Sequence, residues 1–215
     1  MGGFRYSRAV PLRAVLFDLG GVVVGSPLHA IAAYERAHGL PAGSINRIVV
    51  ATGPGGAWAR LERGELGLEA FYAAFDADCA AGGCRIVARD LMARVAASTT
   101  PRPEMLAAIA RIRARGLKAG AITNNWVGEE PGVSALAPHF DVMVESAFVG
   151  LRKPDPAIFH LACERLAITP PEAVFLDDIG ANLKTARALG MTTIKVDDPG
   201  TALAALEGVL GFALR

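Results

Sequence analysis

The chain has 215 residues, with 22 Lys plus Arg against 21 Asp plus Glu, 52% apolar residues and three cysteines. That length suits one core with a smaller inserted unit. The apolar fraction excludes a disordered chain, and a net charge of +1 gives no basis for a nucleic-acid or membrane-surface partner. The basic residues are mostly Arg and are scattered, so they form no binding stripe. Cys79, Cys84 and Cys163 show no C-x-x-C spacing, and His29, His38, His139 and His160 do not join them at metal-ligand intervals. This argues against a zinc site or a disulfide framework and for reduced thiols. No apolar run is long enough to cross a membrane. The stretch Met1 to Ser7 lacks an apolar signal core, and Tyr6 stands where a myristoylation pattern needs Ser or Thr. The expectation is a cytoplasmic protein, monomer or homodimer, with no membrane partner.

In chain order, the first strand signal is Ala14-Val15-Leu16-Phe17. The stretch 27–98 that follows carries no strand signal. It shows helical periodicity in 31–37, 68–79 and 86–96, with Gly and Pro breaks at Gly39, Pro41, 53–56 and Gly82-Gly83. A long insertion with its own apolar faces reads as a small helical domain rather than a loop. Pro101 and Pro103 mark the return to the core, so the expected division is 1–26 and 99–215 as the core, with 27–98 inserted. A helix over 104–115 precedes the second strand, 119–122; further strands are expected at 142–144, 173–176 and 193–196. Helices over 154–166 and 181–189 alternate with the later strands. Continuous apolar strands alternating with helices predict an α/β fold, a Rossmann-like parallel sheet covered on both faces.

Chemistry collects where the strands end. The first ends in Asp18-Leu19-Gly20-Gly21, the second in Thr123-Asn124-Asn125 and the fourth in Asp177-Asp178. All C-termini of a parallel sheet lie on one edge, where doubly wound folds bind ligands. Lys153 reaches the same region from the Arg152-Lys153-Pro154 corner. Singly, each residue has an ordinary reading: a strand-end Asp as a turn or cap, Thr123 as an N-cap, Lys153 as a solvated charge. Together they do not. Clustered carboxylates repel unless a cation sits between them, and Mg²⁺ takes carboxylates, water and phosphate oxygens. Thr123 and Lys153 would then hold the remaining phosphate oxygens.

Four runs carry a family resemblance: Phe17-Asp18-Leu19-Gly20-Gly21-Val22, Ile122-Thr123-Asn124-Asn125-Trp126, Lys153-Pro154-Asp155-Pro156-Ala157-Ile158-Phe159 and Phe175-Leu176-Asp177-Asp178-Ile179-Gly180-Ala181-Asn182. In order and spacing they resemble the motifs of the haloacid dehalogenase superfamily. The likeness is greatest to the group that includes the N-terminal phosphatase-like domain of soluble epoxide hydrolase. The resemblance implies strand order 5-4-1-2-3 with a helical cap at 27–98. It also implies Asp18 as a nucleophile that forms an aspartyl-phosphate, with Lys153 beside it in the catalytic set. Mg²⁺ would be held by Asp18, the Gly20 carbonyl and Asp178, with Asp177 behind them near Lys153. Thr123, the Asn124 backbone and Lys153 would bind phosphate. The implied activity is a Mg²⁺-dependent phosphatase on a small phosphorylated metabolite.

One position departs from the pattern. Relatives that are phosphatases usually carry an Asp two residues after the nucleophile, serving as acid and then base, and here that residue is Gly20. General acid–base catalysis is typically worth about 10²–10⁴ in rate. Gly20 therefore raises an alternative, a weak or inert protein that keeps the site for binding or regulation. It also raises the question whether an insertion residue such as His29 supplies the proton. A phospho-receiver domain is excluded, since its paired acids would follow the first strand. Within the insertion, Trp58 reads first as a packed aromatic, and Arg60 and Arg63 as solvated charges near the pocket.

Overall fold

The computed structural model describes residues 10–128 and 132–215; the reading of Met1 to Ser7 lies outside them. Strand β1 is Ala14–Phe17, followed by five helices: α1 Pro27–Ala37, α2 Ser44–Thr52, α3 Ala57–Glu62, α4 Leu68–Ala81 and α5 Ala88–Ala97. Then come α6 Pro103–Ala114, β2 Lys118–Thr123, β3 Val142–Glu145, α7 Ser146–Val149, α8 Pro156–Arg165, β4 Ala173–Asp177, α9 Gly180–Ala188, β5 Thr192–Lys195 and α10 Pro199–Leu210. The five strands form one sheet in the order β3-β2-β1-β4-β5, with every pairing parallel. Read from the other edge, this is the expected 5-4-1-2-3.

Successive strand side chains point to opposite faces, and β1 separates two apolar layers accordingly. Val15 and Phe17 pack with Met105, Ile109 and Ile112 of α6 and Leu203 and Leu206 of α10. Ala14 and Leu16 pack with Ile158, Phe159 and Ala162 of α8 and Leu183 of α9. Each such buried Leu, Ile or Phe contributes about 1.5–3 kcal/mol. This sandwich makes β1 and β4 wholly buried and leaves the edge strands β3 and β5 partly exposed.

Proline at the first turn starts α1, α6, α8 and α10, where its missing N–H costs nothing. Asp155 and Asp198 cap α8 and α10 by accepting from the N–H groups of Ala157 and Thr201. Helices α1–α5 close around a third apolar cluster that includes Tyr34, Trp58, Phe71, Phe75, Leu91 and Val95. Three of their N-termini are satisfied from a neighbouring helix rather than locally. Glu35 accepts from the N–H groups of Gly43 and Ile45, Asp78 from that of Ala57, and Asp76 from that of Ala88. Helices α2 and α3 thus occupy a stretch whose sequence reads mainly as breaks, and α10 extends the core beyond the last strand signal.

Candidate active site

Asp18, Thr123 and Asp177 stand at the carboxyl ends of β1, β2 and β4, and the loop before α8 brings Lys153 among the acids. The Lys153 ammonium is buried and bridges two carboxylates, 2.7 Å from Asp18 Oδ1 and 2.9 Å from Asp177 Oδ2. The Leu19 N–H donates to Asp18 Oδ1 at 2.6 Å, so two donors fix the orientation of that carboxylate. Asp177 is saturated with donors: both its oxygens accept from Asn182 Nδ2 (3.1 and 3.0 Å), and Oδ1 also takes the Ile179 N–H at 2.7 Å. Asp178 is less engaged, accepting from the Ser26 hydroxyl at 3.4 Å.

Oxygen atoms of Asp18, Asp177 and Asp178 all lie within 4.8 Å of one another. One ammonium does not balance three carboxylates. Burial, then the charges of Asp177 and Asp178, push the Asp18 carboxyl up to about 8 against the pull of Lys153. Burial and Asp177 likewise raise Asp178. Burial opposes the charge on Lys153, but Asp177 and Asp18 outweigh it and hold the ammonium above its usual value. A group of hard oxygens with excess negative charge fits a divalent cation. Of the three acids, Asp18 and Asp178 have oxygens to spare, whereas Asp177 has spent its own on donors.

Backbone geometry lets these groups meet. Gly21 has φ +79°, and a Cβ there would lie 2.1 Å from Asp178 Oδ2, so only glycine allows the approach. The Arg102 guanidinium donates to the carbonyls of Gly21 and Val22 at 2.7 and 3.0 Å, clamping the loop after Asp18. At Gly20 a Cβ would stand 3.1 Å from Pro27 Cδ, so a side chain there would need Pro27, at the start of α1, to give by a few tenths of an ångström.

Two cavities flank this edge. One of about 480 Å³ contains Asp18, Asp178, Lys153 and Arg152, roofed by Leu28, Val49, Val50, Trp58 and Glu62 of the insertion. The other, about 810 Å³, is lined by Thr123, Leu68, Tyr72, Met92 and Val127. Gly20, Pro27, Asn124 and Trp126 border both. Although the second is larger, Asp18 and Asp178, the acids with oxygens to spare, line the first.

The sequence matches the model of the haloacid dehalogenase-like hydrolases over residues 12–190. The chain belongs to that family. It is 40% identical over its full length to part of acyl-CoA dehydrogenase family member 10 of Mus musculus, covering 21% of that protein. It is 35% identical over 94% of its length to bifunctional epoxide hydrolase 2 of Sus scrofa, covering 40%. The chain thus spans well under half of these relatives. Phosphoglycolate phosphatase of Shigella dysenteriae is 27% identical over 85% of the chain and 80% of that protein. Among solved structures, a family enzyme from Bacteroides thetaiotaomicron in complex with magnesium and inorganic phosphate superposes with a TM-score of 0.59. It is 18% identical and covers 86% of this chain and 93% of that one, a likeness that shows the fold.

For this family member, the structure places the residues singled out by sequence unevenly. Asp18, Lys153, Asp177 and Asp178 meet directly, and Gly20, Thr123 and Asn124 border the cavities beside them. Trp58 both packs on Phe75, 5.3 Å between ring centroids, and lines the acid cavity. Arg60 and Arg63 instead pair with Glu65, and His29 is exposed and borders neither cavity. Three residues escaped sequence reading: Ser26, Glu62 and Arg102. Their partners lie 4 to 152 positions away, whereas Asn182, one helical turn past Asp178, closes the fourth motif run and binds Asp177. No described helix is long and apolar enough to cross a membrane.

Proposed function

We propose that this chain is a Mg²⁺-dependent phosphatase acting on a small phosphorylated metabolite through an aspartyl-phosphate on Asp18, with residues 27–98 serving as a cap over the site. The observation that carries the reading is the buried Lys153 ammonium bridging Asp18 and Asp177 while Asp178 stands unpaired beside them. A phosphatase among the relatives and a phosphate complex among the structural neighbours support it. A divalent cation held by Asp18, the Gly20 carbonyl and Asp178 supplies the charge that keeps both carboxylates ionised and offsets the phosphoryl oxygens. Lys153, the Thr123 hydroxyl and the Asn124 N–H bind those oxygens, and Asp177 holds Lys153 in place. Asp18, oriented by the Leu19 N–H, attacks phosphorus in line with the departing oxygen. Water then attacks phosphorus to release phosphate and restore Asp18.

The residue at 20 shapes this chemistry. With no carboxyl there, the leaving oxygen departs with more negative charge, and esters of acidic alcohols, aryl and acyl phosphates, are the best substrates. The missing carboxyl at Gly20 is the observation behind the second reading, a binding protein of low activity, and the close approach of Pro27 makes that position tight for a side chain. A screen of phosphate esters with and without Mg²⁺ separates the two. Mg²⁺-dependent release of phosphate, strongest for aryl and acyl esters, is expected. Mg²⁺ and phosphate binding without turnover of any ester establishes the binding protein instead.

A further inference from the structure

Among the described residues of the insertion, Glu62 is the one charged group in the wall of the acid cavity. It is buried, with 7% of its surface exposed. Its Oε1 accepts from the Trp58 indole at 3.0 Å. Its Oε2 accepts from Arg152 Nε at 2.6 Å and from Asn124 Nδ2 at 3.4 Å. Both oxygens are therefore engaged by donors, which leaves neither free to face a leaving group; Glu62 does not replace the acid missing at position 20.

Its partners show what it does instead. Asn124 exchanges two hydrogen bonds with the main chain of Lys153: Oδ1 accepts from its N–H at 2.8 Å, and Nδ2 donates to its carbonyl at 3.0 Å. The ammonium of the same lysine touches Asp18. An unbroken chain of polar contacts thus runs from helix α3 through Asn124 to Lys153 and the nucleophile, with Arg152 tied in beside it. The pair is only partly buried, with the Arg152 side chain 27% exposed, and such ion pairs add little to stability, so energy of folding is a weak reason for this one.

We propose that Glu62 is a positioning residue, a latch by which the closed insertion holds Arg152 and Asn124 and, through them, completes the phosphate-binding wall at Lys153. The proposal rests on the phosphatase reading for its substrate, but not for the contact itself. Breaking the latch lowers the population of the closed, binding-competent state, and apparent affinity falls by that fraction. Glu62→Gln is expected to raise the dissociation constant for beryllium fluoride with Mg²⁺, and KM for an aryl phosphate, about tenfold, with kcat within threefold. Arg152→Gln should do the same. The double variant should be no worse than Glu62→Gln alone, since both single changes break the same Glu62–Arg152 ion pair.

In the unliganded protein, amide hydrogen exchange should accelerate together in 57–62 and 150–153. That arm needs no activity. If the native chain binds no beryllium fluoride and cleaves no ester, the phosphatase reading falls while exchange still decides the latch. If Glu62→Gln does not fold, Arg152→Gln, at the more exposed end of the pair, carries the same measurements. Unchanged exchange in 150–153 overturns the proposal. So does a lowered melting temperature with unchanged affinity, or a hundredfold loss in the double variant.

Discussion

The two walls of the acid cavity are built on opposite principles. The sheet edge contributes Asp18, Lys153 and, behind them, Asp177, charged groups almost without solvent exposure and fixed by backbone N–H groups and by one another. The facing wall from α1 and α2 contributes Leu28, Val49 and Val50, and Val50 is 71% exposed. Apart from Glu62, charge in this cavity lies on the side where strand ends and their loops hold it pre-organised. The apolar side packs less tightly, as the exposure of Val50 shows. The proposed function assigns reactivity to the strand ends and selectivity to the helices, and the experiments that follow try to break that division.

The largest effect is expected at the nucleophile. Asp18→Asn keeps the size of the side chain but not its nucleophilicity, and steady-state kinetics should show a loss of roughly 10⁴-fold or more in kcat with an unchanged circular dichroism spectrum. Residual activity within tenfold of native breaks the covalent account.

Next is the contrast between adjacent acids. Asp177→Asn removes a buried partner of Lys153 and should destabilise the fold by about 3–5 kcal/mol in urea unfolding. Asp178→Asn relieves repulsion in the metal-free protein and should cost no stability, yet weaken Mg²⁺ binding in calorimetry more than any other single change. The reverse order shows that the two acids have been assigned the wrong way round.

The pH dependence of stability sharpens the same contrast. Asp18 is raised from 3.8 to about 8 by burial and by Asp177 and Asp178, so the folded state holds a proton that the unfolded chain has lost. Its contribution is complete below about pH 4 and disappears as pH rises through about 8. Metal-free protein should therefore lose stability across that window, by at most about 1.4 kcal/mol per pH unit from this group. Saturating Mg²⁺ should flatten the slope, and chemical denaturation at several pH values measures both. The smallest effect is expected on the apolar wall, where Val50→Ser should alter KM a few-fold for bulky esters and shift stability by less than about 0.5 kcal/mol.

Legibility in the sequence follows the same division. Strand ends were readable because each carries its chemistry in a short contiguous run, and a parallel sheet gathers such runs at one edge whatever separates them in the chain. The meeting of Asp18, Lys153, Asp177 and Asp178 came from that, while the sheet order came from the family resemblance. Helices α2 and α3 were not readable, because their N-termini are satisfied by Glu35 and Asp78 of other helices rather than by local caps. Glu62 was hidden for a related reason: it looks like a surface residue of a Gly-rich stretch until Arg152, 90 positions on, is placed beside it. Arg102 reads as an ordinary helix-start residue, and only the fold shows it gripping the loop after Asp18.

The central claim is that Asp18 takes the phosphoryl group, and Gly20 offers a direct way to see it. A residue that cannot protonate the leaving group also cannot activate water for the second step. With an aryl phosphate, whose leaving group needs no acid, the aspartyl-phosphate should form quickly and decay slowly. Rapid-quench measurement with a labelled aryl phosphate and Mg²⁺ should show a burst of phenol approaching one equivalent per site. Acid-stable, base-labile label should appear on the peptide containing Asp18. A linear time course with no label on the protein, while phosphate is still released, contradicts the account.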